Sequence, residues 1–106
     1  MTDHAIDRLF AIIESRQREG DQTSSYTAKL IAQGLEKCAK KFGEESVETV
    51  LAAVSGDRQH LAAESADVLY HLLVLWAAAG LKPADVYAAL KKREGVSGLD
   101  EKAGRT

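Results

Sequence analysis

"VLYHLLVLWAAA", Val68 to Ala79, decides the fold, because a helix built from it is apolar around almost its whole circumference. Such a helix is expected to be buried by its neighbours rather than to lie on a surface. Extending it backwards at about 100° per residue adds a polar stripe, since His60, Glu64, Asp67 and His71 fall within about 60° of one another. A polar stripe on a buried helix is expected to face an interior cleft. Two ionised carboxylates there are costly unless a cation or a basic side chain stands opposite.

Outward from this segment the chain reads as helices with almost no strand signal. Asp57 is placed to cap the apolar helix, which stops at Gly80, and Pro83 suits the first turn of a last helix ending near Gly95. On the N-terminal side, Ile6, Leu9, Phe10 and Ile13 recur at steps of three and four, giving an amphipathic helix capped by Asp3 and ending near Arg18. "EGDQTSSYT" then clusters residues that favour turns and caps, so it reads as a loop. A second helical region starts near Ser25 and reaches Gly34, and a third continues with Leu35, Val47, Val50, Leu51 and Val54 at helical spacing. Gly34 and Gly43 each cost roughly 1 kcal/mol relative to Ala inside a helix. The break is expected at Gly34. The fold class is therefore all-α, a bundle of four or five helices spanning residues 1–95, followed by an aperiodic, glycine-rich tail at 96–106.

The composition restricts the functions open to such a bundle. A chain of 106 residues holds one core, and 45% apolar with 28% charged residues is ordinary globular composition. A net charge of −2 supplies no global basic field to steer the protein onto nucleic acid. The single Cys38 forms no internal disulfide and belongs to no zinc-spaced cluster, which fits a reducing compartment and a packed thiol. The longest uncharged run, Val68 to Leu81, is too short to span a bilayer. A cytoplasmic protein bound to neither membrane nor nucleic acid is the expectation.

Acidic residues carry the chemistry. "KKFGEESVETV", Lys40 to Val50, places Glu44, Glu45 and Glu48 within five residues of one helix. Glu45 and Glu48 share a face at i,i+3, as do Glu64 and Asp67 on the next helix. Two such helices packed antiparallel can bring four carboxylates to one point, a set of hard oxygens suited to Mg²⁺ or Mn²⁺ rather than zinc. Other readings stay open. The first three acids lie away from the Val47, Val50, Leu51 and Val54 stripe, as on a solvated outer face, and Glu64 with Asp67 could pair with an Arg or Lys. His60 and His71 read as hydrogen-bonded histidines or as partners of ligands, and Tyr70 and Trp76 as core.

These residues carry a family resemblance. "GEESVETV" (43–50) followed by "ESADVLYHLLVLW" (64–76) resembles the EExxE…ExxD signature of the all-α nucleoside triphosphate pyrophosphatases, the group of MazG-like and dimeric dUTPase-like enzymes. Within it, "SYTAKLIAQGLEKCAKKFGEE" (25–45) and "GVSGLDEKAGR" (95–105) are similar to segments of the phosphoribosyl-ATP pyrophosphatase family, so the likeness covers most of the chain. The resemblance implies an all-α bundle with Mg²⁺, or Mn²⁺, held by Glu45, Glu48, Glu64 and Asp67, and with Glu44, Glu45 and Glu48 as the catalytic acids. It implies hydrolysis of phosphoribosyl-ATP to phosphoribosyl-AMP and pyrophosphate in histidine biosynthesis, by a homodimer. Lys29, Lys37, Lys40, Lys41, Lys102 and Arg105 are the basic residues available to the phosphates, the last two on a tail that would close over the substrate. The length fits a standalone form without the cyclohydrolase domain of fused relatives. Two rivals remain: a housekeeping pyrophosphatase acting on free nucleotides, and a non-catalytic helical interaction module.

Overall fold

The computed structural model describes residues 4–95, within which the chain forms five helices and no strand. They are α1 (Ala5–Glu19), α2 (Tyr26–Ala32), α3 (Leu35–Ser55), α4 (Arg58–Ala79) and α5 (Pro83–Glu94). The expected cap Asp3 lies outside the described residues, as does the 96–106 tail with Lys102 and Arg105. At the described start of α1 the cap is His4, whose Nδ1 accepts from the Ile6 N–H at 3.1 Å. Ser25 caps α2 by accepting from Ala28, and Asp57 caps α4 by accepting from His60. Pro83 opens α5, where the Asp85 carboxylate accepts the Lys82 N–H at 3.0 Å.

The second helical region breaks at Gly34, as its residue type demands. Its φ of 100° lies where L side chains are strained, so the turn between α2 and α3 needs a glycine. Gly43, by contrast, continues inside α3, which is unbroken for 21 residues.

The core gathers Phe10 and Ile13 of α1, Leu30 of α2, Cys38 of α3 and Leu73, Val74 and Ala77 of α4. Cys38 is a packed thiol, its Sγ donating to the Leu30 carbonyl at 3.4 Å, and burial pushes its pKa up. All four α4 residues that are buried lie between His71 and Ala77, so only the C-terminal half of this helix is enclosed. That half is the Val68–Ala79 stretch whose apolar circumference marks it for burial, with Leu69 and Ala79 as its exposed members. The α1 and α2 helices cover that half: Gln17 donates to the Ala77 carbonyl at 3.3 Å, and Thr27 hydrogen-bonds the Tyr70 hydroxyl. The α5 helix rests on α1 through Tyr87, which donates to Asp7 at 3.0 Å, and through the Lys82–Glu14 ion pair.

The most extensive helix pairing joins α3 to α4 across a two-residue turn, which makes them antiparallel neighbours. From Val47 to Leu69 only Ala52 is buried, so the turn end of this hairpin stands out from the core as a two-helix arm. Its inner stripe is Cys38, Phe42, Glu45, Thr49 and Ala52, spaced alternately by four and three residues. Val47, Val50, Leu51 and Val54 occupy the opposite side and are 58%, 60%, 61% and 79% exposed. The sequence assigns the outward face to the acids. The structure reverses that for Glu45, because Cys38 and Ala52 are small enough to let α3 approach α4 along the line that also carries Glu45.

Candidate metal site on the α3–α4 hairpin

The antiparallel pairing sets the register of the acids. The Thr49 hydroxyl, 2.9 Å from the Glu45 carbonyl and 3.2 Å from that of Glu64, locks one turn of α3 against one turn of α4. One turn back along α3 is Glu45, and one turn onward along α4 is Asp67. Glu45, Glu64 and Asp67 thereby each offer a carboxylate oxygen to a group whose members lie within 4.8 Å of one another. Glu45 and Glu64 are half-buried, while Asp67 is exposed.

Glu48 stands outside this group. From Glu45, a step of three residues turns about 60° away from the helix partner, whereas a step of four turns only about 40° and on the other side. Thr49 takes the inward position and Glu48 stays exposed on the flank. Glu44 is exposed and pairs with Lys41 at 3.8 Å.

Like charges this close repel one another, and by less where water screens the exposed Asp67. Among the described residues no Arg or Lys ion pair offsets this. The partner of Glu64 is His60, at 3.6 Å one turn earlier, so the Arg or Lys expected of a buried pair is not what meets it. Three oxygen donors from carboxylates, close together and with no Arg or Lys paired to them among the described residues, fit a hard divalent cation.

Of the expected phosphate partners among the described residues, Lys41 is the one paired with an acid of this hairpin, Glu44, and it is partly buried on the flank of the inner stripe and within electrostatic reach of His71. Lys29 and Lys37 are exposed, and Lys40 shares the outer side of α3 with Val47 and Leu51. His71, one turn beyond Asp67 on α4, is only 6% exposed. Burial pulls its pKa below the usual 6.5, against the opposing pull of Glu45 and Asp67 and with the help of Lys41. Tyr26 and Tyr70 meet its ring edge to face, with centroids at 6.2 and 5.0 Å. The shared stripe with Asp67 is the sequence signal that leads to His71; its enclosure by α2 is not visible there.

A groove of about 370 Å³ between α1 and α5 holds Asp7 and Glu14, but Tyr87 and Lys82 already engage those acids. Among the described residues, Glu45 and Asp67 of the α3–α4 hairpin have no such partner.

Comparison with known proteins identifies the scaffold. The family model described as phosphoribosyl-ATP pyrophosphohydrolase matches residues 6–94, which include the five described helices except Ala5, and the three converging acids. A phosphoribosyl-ATP pyrophosphatase of Parvibaculum lavamentivorans is 61% identical over 94% of this chain and 91% of its own length. One from Cereibacter sphaeroides is 58% identical over 94% and 96%. The chain therefore belongs to the phosphoribosyl-ATP pyrophosphohydrolase family and is a hydrolase.

Proposed function

We propose that this protein hydrolyses phosphoribosyl-ATP to phosphoribosyl-AMP and pyrophosphate in histidine biosynthesis, with Mg²⁺, or Mn²⁺, held by Glu45, Glu64 and Asp67. The observation that carries the reading is the convergence of these three carboxylates, with no Arg or Lys paired to them among the described residues, in a chain of this family. Glu48, one turn from Glu45 on the exposed flank, is placed to join them from the side open to a substrate. A bound cation supplies charge neutralisation for the leaving pyrophosphate and a lower pKa for a coordinated water. The chain's own residues do the rest. Glu45 and Glu64 would hold that cation between the two packed helices, and Glu44 or Glu48 accepts the proton of the attacking water. Lys41 faces the extra negative charge of the triphosphate. The tail, with Lys102 and Arg105, completes the enclosure, so deleting residues 96–106 is expected to raise KM.

The active form in this reading is a homodimer. Its support is the apolar outer stripe of the α3–α4 arm, which gathers the four most exposed large hydrophobic residues among those described onto one face. A second copy is a self-complementary occupant for such a stripe. The α4 helix is long and apolar enough to cross a membrane by length and composition alone. Glu64 and Asp67 lie in its middle, however, and their cost in a bilayer favours a protein that works in the cytoplasm.

The test is pyrophosphate release from phosphoribosyl-ATP with Mg²⁺ by the wild type, Glu45→Gln and Asp67→Asn. Turnover by the wild type and losses of about 100-fold or more in both folded variants are expected. Wild-type inactivity on this substrate with cleavage of dCTP or dUTP would move the assignment to a housekeeping pyrophosphatase. No cleavage of any nucleotide and no metal binding would leave an interaction module.

A further inference from the structure

Beyond the carboxylates, one polar side chain at this site has no assigned work. His71 is 6% exposed, yet among the described residues its imidazole takes part in no hydrogen bond. No buried side-chain nitrogen or oxygen among the described residues is both sealed from the surface and unpaired, so both nitrogens of His71, neither of them hydrogen-bonded, reach the surface. The ring is held still. Tyr26 of α2 and Tyr70 of α4 clamp it edge to face at 74–87°, and Tyr70 is in turn anchored by Thr27. The charged groups that face it are Glu45 and Lys41 from α3 and Asp67 from its own helix.

We propose that His71 is a substrate-binding residue, its imidazole N–H donating a hydrogen bond to a phosphate oxygen of the diphosphate held beside Glu45, Glu64 and Asp67. This rests on the metal-site reading above. The chemistry favours a neutral ring in this position. A lysine there would pair with Glu45 or Asp67 and displace the cation that they hold, whereas a neutral imidazole keeps one donor without competing for the carboxylates. Burial holds the ring neutral near pH 7, and its fixed orientation means that little rotamer freedom is lost on binding. A phosphate oxygen is the acceptor because the ring lies one turn from Asp67 on the acid-bearing face, with Lys41 beside it to complement an anion.

The experiment compares wild type, His71→Phe, His71→Asn and His71→Gln by calorimetric binding of pyrophosphate in the presence of Mg²⁺, with kcat and KM measured in parallel. His71→Phe keeps the ring packing and removes both nitrogens. It is expected to weaken pyrophosphate binding by about 10- to 100-fold while leaving Mg²⁺ binding alone unchanged, with partial recovery in the Asn or Gln variant. Imidazole nitrogen NMR signals of His71 in the wild type are expected to move when Mg²⁺-pyrophosphate is added, a readout that survives even if a variant fails to fold. Unmoved signals in a protein that binds pyrophosphate would overturn the proposal, as would wild-type affinity and kinetics in His71→Phe. If Glu45→Gln and Asp67→Asn collapse while His71→Phe does not, the metal-site reading stands and His71 alone is wrong. If those two variants keep wild-type turnover, the metal-site reading falls and takes the His71 proposal with it.

Discussion

Glu45, Glu64 and Asp67 repel one another in the metal-free chain, and that repulsion sets a measurable signature. Glu45→Gln is expected to raise the thermal midpoint in the presence of EDTA, while Mg²⁺ raises the midpoint of the wild type and not that of the variant. At a concentration 100 times its Kd a single stabilising ligand adds about 2.7 kcal/mol, a shift of several degrees in a domain of this size. Equal responses of the two proteins to Mg²⁺ would remove Glu45 from the ligand set. His71 gives a second signature. Its folded pKa lies below 6.5 because burial outweighs the attraction of Glu45 and Asp67, so in the window below 6.5 the unfolded chain binds more protons than the folded one. Stability from this residue is complete above about pH 6.5 and declines as the pH falls further. Urea midpoints of the metal-free wild type should therefore drop from pH 7.5 to 5.5, with a smaller drop in His71→Phe; parallel curves would show that His71 contributes none of it.

At the scale of the element, Gly34 at the start of α3 and Gly43 within it have opposite roles, and their substitution separates them. Gly34 at φ 100° makes the α2–α3 turn, so Gly34→Ala is expected to destabilise by about 1 kcal/mol or more even though a Cβ there meets nothing within 4 Å. Gly43 is exposed within α3, with equal room for a Cβ and an ordinary helical backbone, and Gly43→Ala is expected to stabilise by about 0.5–1 kcal/mol. Denaturant unfolding of the two variants reads both signs. A destabilised Gly43→Ala would mean that the surface at Gly43 is covered, by a second copy or by the tail. The long α3 and α4 helices also explain why a hairpin can carry the site. Their pairing places Glu45 opposite Asp67 through backbone register and the Thr49 contact, with no loop residue needed to aim a ligand.

Across the whole molecule, the enclosed core and the exposed arm divide the chain into a folded base and a projecting hairpin. The base is covered by α1 and α2; the arm leaves Val47, Val50, Leu51 and Val54 open on one side. The double substitution Val50→Lys with Leu51→Lys is expected to leave the base folded and to convert a dimer to a monomer in sedimentation equilibrium, because two lysines per copy would face one another across a twofold interface. A wild type that sediments as a monomer across a wide concentration range would defeat the dimer reading. Loss of activity on forced dissociation would further tie the site to the assembly.

The local sequence by itself determined that the chain folds as four or five helices, and where most of them begin and end. Ser25, Asp57, Gly34, Gly80 and Pro83 act on the backbone within a turn of their own position, so their effect needs no knowledge of the partners. It also determined that Glu64, Asp67 and His71 share one side of a helix, since helical spacing alone fixes that. What only the tertiary structure decided is which side of α3 is inside. The valines are the more hydrophobic stripe and the acids the more polar, and taken alone that contrast points the acids outward. Close approach of two long helices is governed instead by side-chain size along the line of contact. Cys38, Thr49 and Ala52 allow it, Glu45 is carried inward with them, and the valines are left exposed on the opposite side. The enclosure of His71 was likewise decided at a distance, by an α2 helix whose own sequence says nothing about where it will lie.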